Sequence, residues 1–183
     1  YCCDKGEVMI SKKFMDAIVN RTENLAKTWC AEVRKSDYMK TYQKLSDERL
    51  AKVNKIFFDH LAQWITKGLS RREIGNYFVD LGKERYHEKF PLSEIHYAVY
   101  LAKRVVRDMV LSESLLDSAM EVYQVMELGN MVSSFFDTGN FYITRGYLGA
   151  MHDDLVRSKK FTKEELTQYF PHGSFFKEEI DLV

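Results

Sequence analysis

The stretch from Leu115 to Arg157 contains no proline and constrains this chain more than any other. Between Leu115 and Phe136 its apolar residues are Leu115, Leu116, Ala119, Met120, Val122, Tyr123, Val125, Met126, Leu128, Met131, Val132, Phe135 and Phe136. They recur at three and four but also fill the gaps. A surface helix shows one apolar stripe, and one that is apolar nearly all round is buried on more than one side. The pattern therefore predicts one long helix that packs on its own domain and has a second face to hide. Beyond Phe136 the apolar set narrows to Ile143, Tyr147, Ala150 and Met151, which suits a rod leaving the domain. Asp137-Thr138-Gly139-Asn140 has the composition of a turn. The stripe Val132, Phe136, Ile143, Tyr147 crosses it in phase, so the helix is expected to continue.

The upstream chain repeats the helical period. Ile10, Phe14, Ile18, Leu25, Trp29 and Val33 predict an amphipathic helix over 10–35, with Ser11 placed to cap it. Residues 38–45 are mixed and fit a loop or a short turn of helix. Ser46-Asp47-Glu48 opens a second helix near 46–67, with a cap residue and two acids where the helix dipole favours them. Gly68 is placed to end it. Ser70-Arg71-Arg72-Glu73 has the capping-box spacing for a third helix near 71–88, with Ile74, Tyr77, Phe78, Leu81 and Arg85 on its inner side. Gly75 and Gly82 inside it each cost roughly 1 kcal/mol against Ala, which points to a close helix–helix approach or weak local order. Phe90-Pro91 breaks that helix. Phe90 and Leu92 flank the proline where a free loop would be polar, so an anchored corner is expected. Ser93 is placed to cap a fourth helix near 93–111, with Ile95, Val99, Ala102, Val106 and Met109 or Val110 as its seam. The long helix follows near 115–157. Thr162-Lys163-Glu164-Glu165 is a second capping box, for a short helix near 163–169. The fold class expected is all-α: a globin-like or antiparallel bundle of five main helices with a long C-terminal helix. As domains, residues 1–7 are a loose N-terminus, 8–158 the helical body, and 159–183 a short helix and tail.

The totals narrow the function classes. Lys plus Arg and Asp plus Glu are both 27, without the basic surplus of a nucleic-acid binder. No apolar run approaches the ~20 residues that span a bilayer, and no signal peptide is visible. Three cysteines are too few for a disulfide scaffold. A reducing cytoplasm is the compartment expected. Cys2 and Cys3 fall in the loose N-terminus, and Cys30 reads as a small core hydrophobe.

Catalytic patterns are absent. There is no phosphate-binding glycine loop, no Gly-x-Ser-x-Gly elbow, no His-Glu-x-x-His and no paired-cysteine zinc spacing. Glu84-x-x-His87 has the spacing of one half of a di-metal carboxylate site, which needs two such motifs and two further Glu. Either His60 or His96 could be an axial ligand if the fold held haem. His60, His87 and His96 are thus the weak candidates for a metal or haem, against an expectation of no cofactor and no enzyme activity.

Leu81-Gly82-Lys83-Glu84-Arg85-Tyr86-His87-Glu88-Lys89-Phe90-Pro91-Leu92-Ser93-Glu94-Ile95 resembles a stretch in the N-terminal sensor domains of stressosome RsbR-type regulators, the RsbT co-antagonists. Trp29-x-x-x-Val33, Phe135-Phe136-Asp137 and Arg145-Gly146-Tyr147 look like other landmarks of that family. The resemblance spans about residues 8–157. One position departs from the pattern: the family usually has Gly before Phe at the turn, where this chain has Lys89. The resemblance implies a globin-like helical domain without haem, dimeric, that passes a signal along its last helix; it brings no catalytic residues.

The reading is therefore a non-enzymatic sensory or regulatory domain of bacterial signal transduction. Its expected partners are a second copy and a downstream signalling protein or module, with no nucleic acid and no membrane span. An interior ligand would lie among Phe78, Leu81, Val99, Val106 and Phe135. A homodimer would use Val125, Gly129, Val132, Ser133 and Phe136 of the long helix, because large exposed apolar patches mark interfaces. The alternatives are a haem- or metal-binding gas sensor and a plain helical adaptor.

Overall fold

The structure is a computed structural model, and it describes residues 16, 18–67, 70–113 and 118–169. Among the described residues there are six α-helices and no strand. They are α1 (Thr22–Lys35), α2 (Asp47–Lys67), α3 (Arg71–His87), α4 (Leu92–Glu113), α5 (Ala119–Arg157) and α6 (Lys163–Tyr169). A 3-10 turn, Tyr42–Lys44, stands between α1 and α2. The all-α class with a long last main helix agrees with the sequence. None of these helices is long and apolar enough to cross a membrane.

Two helix starts differ from expectation. The first helix is interrupted: the Arg21 N–H bonds to the Ile18 carbonyl at 3.2 Å, and Asn20 and Arg21 form a turn before α1. The seven-residue gap between Ile18 and Leu25 equals two helical turns, so the period passes over the break unseen. Ser11 and residues 10–15, like Gly68 and residues 115–117, lie outside the described residues. At α4 the Pro91 carbonyl takes the N–H groups of Glu94 and Ile95, so the helix starts at Leu92 and Ser93 sits in its first turn rather than capping it. Both capping boxes are present. Ser70 and Glu73 exchange bonds at the start of α3, and Thr162 and Glu165 do so at the start of α6.

The described residues divide into two compact units, one of those before Gly68 together with those of 97–136, the other of those of 70–96 and 137–169. In the first, Leu25, Ala26, Trp29 and Val33 form the buried stripe of α1. The Trp29 indole N–H donates to the Ala98 carbonyl of α4 at 2.9 Å, which satisfies the polar edge of a buried ring. The segment after α1 is held by two long side chains. Arg34 donates to the Gln43 and Leu45 carbonyls and to Asp47, while Gln43 donates to the Val33 and Ser36 carbonyls. Phe57 and Phe58 of α2 and Phe135 and Phe136 of α5 are buried. Phe57 meets Phe135 and Phe136 at ring-centroid distances of 5.8 and 5.6 Å, and Trp64 meets Phe135 at 5.9 Å. Such pairs contribute about 0.5–1.5 kcal/mol each beyond area burial.

In the second unit α3 and α5 touch backbone to backbone. A Cβ at Gly82 would collide with the Ile143 carbonyl and lie 2.9 Å from the Tyr147 nitrogen. A Cβ at Gly146 would collide with the Val79 carbonyl. At Gly139 the added atom would fall 2.6 Å from the Phe78 ring. The stretch expected to leave the domain as a bare rod is therefore packed: Gly139, Tyr142, Ile143, Gly146 and Ala150 are all buried. The turn-like Asp137–Asn140 segment is helical, as the phase of the stripe predicts.

The corner after α3 is anchored. Phe90 is buried, and the Tyr147 hydroxyl of α5 donates to its carbonyl at 3.0 Å. Arg85, only 5% exposed, pairs with Glu88 and stacks its guanidinium over the Phe90 ring. The helix ends in a pair of hydrogen bonds, Phe90 N–H to Arg85 O and Lys89 N–H to Tyr86 O, the closure that places its C′ residue in the left-handed region. That residue is Lys89, with φ of 64°, a conformation that favours glycine.

Two predictions follow from this packing. Gly82→Ala or Gly146→Ala should lower stability by roughly 1–3 kcal/mol, because backbone rather than a movable side chain must give way. Gly129→Ala, on an exposed stretch of α5 with nothing within 4 Å of the new atom, should instead raise it by about 1 kcal/mol. Lys89→Gly relieves a left-handed residue and should add about 1 kcal/mol, a rise of roughly 2–4 °C in Tm. Thermal and urea melts check both.

Candidate functional site

In the first unit, α4 and the first half of α5 leave a groove of about 500 Å³ between them. The seam of α4 supplies Val106 and Val110, and α5 supplies Val125, Leu128 and Val132. Val106, Leu128 and Val132 are fully or nearly buried and make the floor. Tyr100, Leu111 and Met126 stand at the rim, with Met126 63% exposed. Gly129 leaves the α5 wall open, since a Cβ there would touch nothing. Asn130 and Ser133 add the few polar groups of that wall.

The α4 wall is basic. Lys103, Arg104 and Arg107 line the groove, and among the described residues no carboxylate does. Arg104 is engaged by Glu32 of α1, and Arg107 by its neighbour Asp108 at 2.8 Å. Two of the three cations on this wall are thus paired with carboxylates. Ligand sites of this size are commonly apolar clefts with a few placed polar groups.

The interior residues expected from the sequence do not gather in one unit. Val99, Val106 and Phe135 lie in the first and Phe78 and Leu81 in the second. All but the half-buried Leu81 are buried, and Val106 is the one of the five that lines the groove. Of the expected pairing residues, Val125, Gly129, Val132 and Ser133 line it. Val132 and Phe136 are buried inside their own unit and are not available to a second copy. The basic wall went unnoticed in the sequence because Lys103, Arg104 and Arg107 look like the ordinary solvated face of a helix. Their spacing beside Val106 and Val110 was the available signal.

The titratable groups are held by structural bonds. His60 Nδ1 bonds to the Ile56 carbonyl of its own helix at 2.8 Å, and His87 is exposed on α3. His96 Nε2 lies 2.8 Å from the Thr144 hydroxyl, which itself donates to the Asn140 carbonyl. The hydroxyl proton is thus spent, so Nε2–H of His96 is the donor. No group of three or more His, Cys, Asp or Glu that could hold a metal ion occurs among the described residues. Burial pushes the Cys30 thiol up, away from the thiolate a nucleophile needs.

Residues 23–158, from the first turn of α1 to just past α5, match the model of the RsbT co-antagonist protein rsbRD N-terminal domain. The chain belongs to that family. No curated protein and no solved structure matches it. Membership makes it a stressosome-type regulatory domain of a signalling system.

Burial also holds the His96 imidazole below its ordinary pKa of 6.5. As pH falls, the unfolded chain takes up this proton before the folded one does. The site's contribution to stability is therefore complete above the unfolded pKa and is lost as pH falls toward the folded one. His96→Gln keeps an N–H donor for Thr144 and cannot titrate, so it should flatten the loss of Tm between about pH 7 and pH 5. An unchanged slope in thermal melts would place the titrating group elsewhere.

Proposed function

We propose that this domain is a non-enzymatic, haem-free sensor with a globin-like body, working in the cytoplasm. It pairs with a second copy through the first half of α5 and passes its signal along that helix to a downstream protein or module. The observation that carries the reading is an exposed stripe on a continuous 39-residue helix. Val122, Met126, Gly129 and Ser133 recur at the alternating four- and three-residue spacing of a helix-pairing seam. Val122, Met126 and Gly129 are exposed and Ser133 is half-buried. Tyr123 adds apolar surface beside them and bonds to Glu127 at 3.1 Å.

Relative to the set Val125, Gly129, Val132, Ser133 and Phe136, this seam is turned away from the core. Gly129 and Ser133 stay in it, because small residues let two helices approach closely. Val122 and Met126 take the place of Val132 and Phe136, which the core already uses. A twofold axis serves such a patch with itself. It would set two copies of α5 side by side, so that a small helix shift in one body biases both outputs.

Light scattering at micromolar concentration tests the pairing. Wild type should be a dimer. Val122→Glu and Met126→Glu should be monomers with unchanged helical dichroism, since both side chains point away from the core. A monomeric wild type, or folded dimers in both variants, would defeat this reading.

A further inference from the structure

We propose that Met126 is an oxidation site, and that its sulfoxide separates the paired domains. The inference rests on the pairing reading and adds to it a chemical input, a peroxide.

The methionines of this chain are unequally placed. Among the described residues Met120 and Met126 are exposed, at 52% and 63%, whereas Met39 is buried and Met109, Met131 and Met151 are half-buried. Met126 is the more exposed of the two and stands at the rim of the groove. The residue one turn on is Gly129, where even a Cβ would touch nothing, so no side chain at that position screens the thioether. Met126 also belongs to the seam of Val122, Met126, Gly129 and Ser133. Met120 does not: it precedes Val122 by two residues and lies nearly opposite it around the helix. The two exposed methionines therefore report on different faces of α5.

The chemistry needs only the thioether and the oxidant. The sulfur lone pair attacks one oxygen of hydrogen peroxide, an S–O bond forms, and the O–O bond breaks. The second oxygen leaves as water, taking the proton of the first. Sulfur gives up two electrons and the peroxide takes them. A thioether has no proton to lose, so ionisation does not gate the step. Cys30 is the poorer target, since a thiol reacts as its thiolate and burial pushes the Cys30 thiol up. Sulfoxidation turns a flexible apolar side chain into a polar one and disrupts interfaces built on methionine. Val122 and Gly129 offer no side-chain donor to an oxygen on that sulfur, and burying an unpaired acceptor is costly. Pairing covers Met126 and leaves Met120 open. The oxidant thus reaches Met126 in the separated copies, and the sulfoxide then holds them apart.

The test is exposure of the whole chain to hydrogen peroxide, followed by peptide mass mapping and by sedimentation to measure the dimer Kd. Met126 should oxidise faster once the protein is diluted below that Kd, and Met120 at the same rate at either concentration. Oxidised wild type should pair at least about tenfold more weakly, and methionine sulfoxide reductases should restore it. Met126→Leu keeps an apolar side chain and every cysteine, and it should stay a dimer through the same treatment. Met120→Leu should lose pairing as wild type does. Met126→Gln, polar without any oxidant, should pair as weakly as oxidised wild type. An unchanged Kd in protein fully oxidised at Met126, or an equal loss of pairing in Met126→Leu, would overturn the proposal. The pairing itself is judged before any peroxide is added. A monomer at that point defeats the pairing and the switch with it, whereas a dimer indifferent to the Met126 sulfoxide defeats the switch and keeps the pairing.

Discussion

The contact between α3 and α5 at Gly82 and Gly146 sets the terms for the second unit. Ordinary helix packing keeps axes 8–10 Å apart because side chains interdigitate. Here each helix presents a glycine to the other's backbone, and the side chains around the crossing are free to pack elsewhere. The Phe78 ring covers Gly139, Tyr147 reaches the Phe90 carbonyl, and Tyr86 meets the Tyr147 ring edge-on at 5.2 Å. The roughly 1 kcal/mol that each glycine costs a helix is offset by the packing that only a missing Cβ permits.

What the sequence made legible follows from what periodicity can carry. Helix number, type and order were legible because apolar residues at three and four report burial directly. The capping boxes at Ser70 and Thr162 were legible because their chemistry is local. The continuity of α5 through Asp137–Asn140 was legible from the phase of its stripe. The break at Asn20–Arg21 was not, because it falls in a gap of two whole turns. The packed state of residues 137–150 was hidden for a different reason. Hydrophobic patterns count side chains, and that contact is made by glycines. Gly82 and Gly146 register in such a pattern only as weak helix formers.

The groove was legible in half. Val125, Gly129, Val132 and Ser133 were picked out together because the helix carries more apolar surface than one side needs. Which of them face the core depends on the angle at which Phe135 and Phe136 enter the cluster with Phe57 and Trp64, and no spacing rule supplies that angle. The opposite wall was illegible in a stronger sense. Lys103, Arg104 and Arg107 come to line the groove only when α4 is laid against α5, so their placement is a tertiary fact.

The two halves of α5 do different physical work. Residues 137–150 spend their buried surface on α3, with glycines where backbone meets backbone. Residues 119–136 keep Met120, Val122, Tyr123 and Met126 exposed. The join between them is the part of the helix with the poorest local propensity, Thr138-Gly139-Asn140. There the Thr144 hydroxyl also bonds back to the Asn140 carbonyl at 2.8 Å, a bond that bends helices slightly. Left to itself this stretch would fray or kink. The Phe78 ring against Gly139 and the His96 N–H on Thr144 hold it from outside. In the proposed sensor, a signal travelling along α5 would pass this stretch, where Phe78 of α3 and His96 of α4 pack against it.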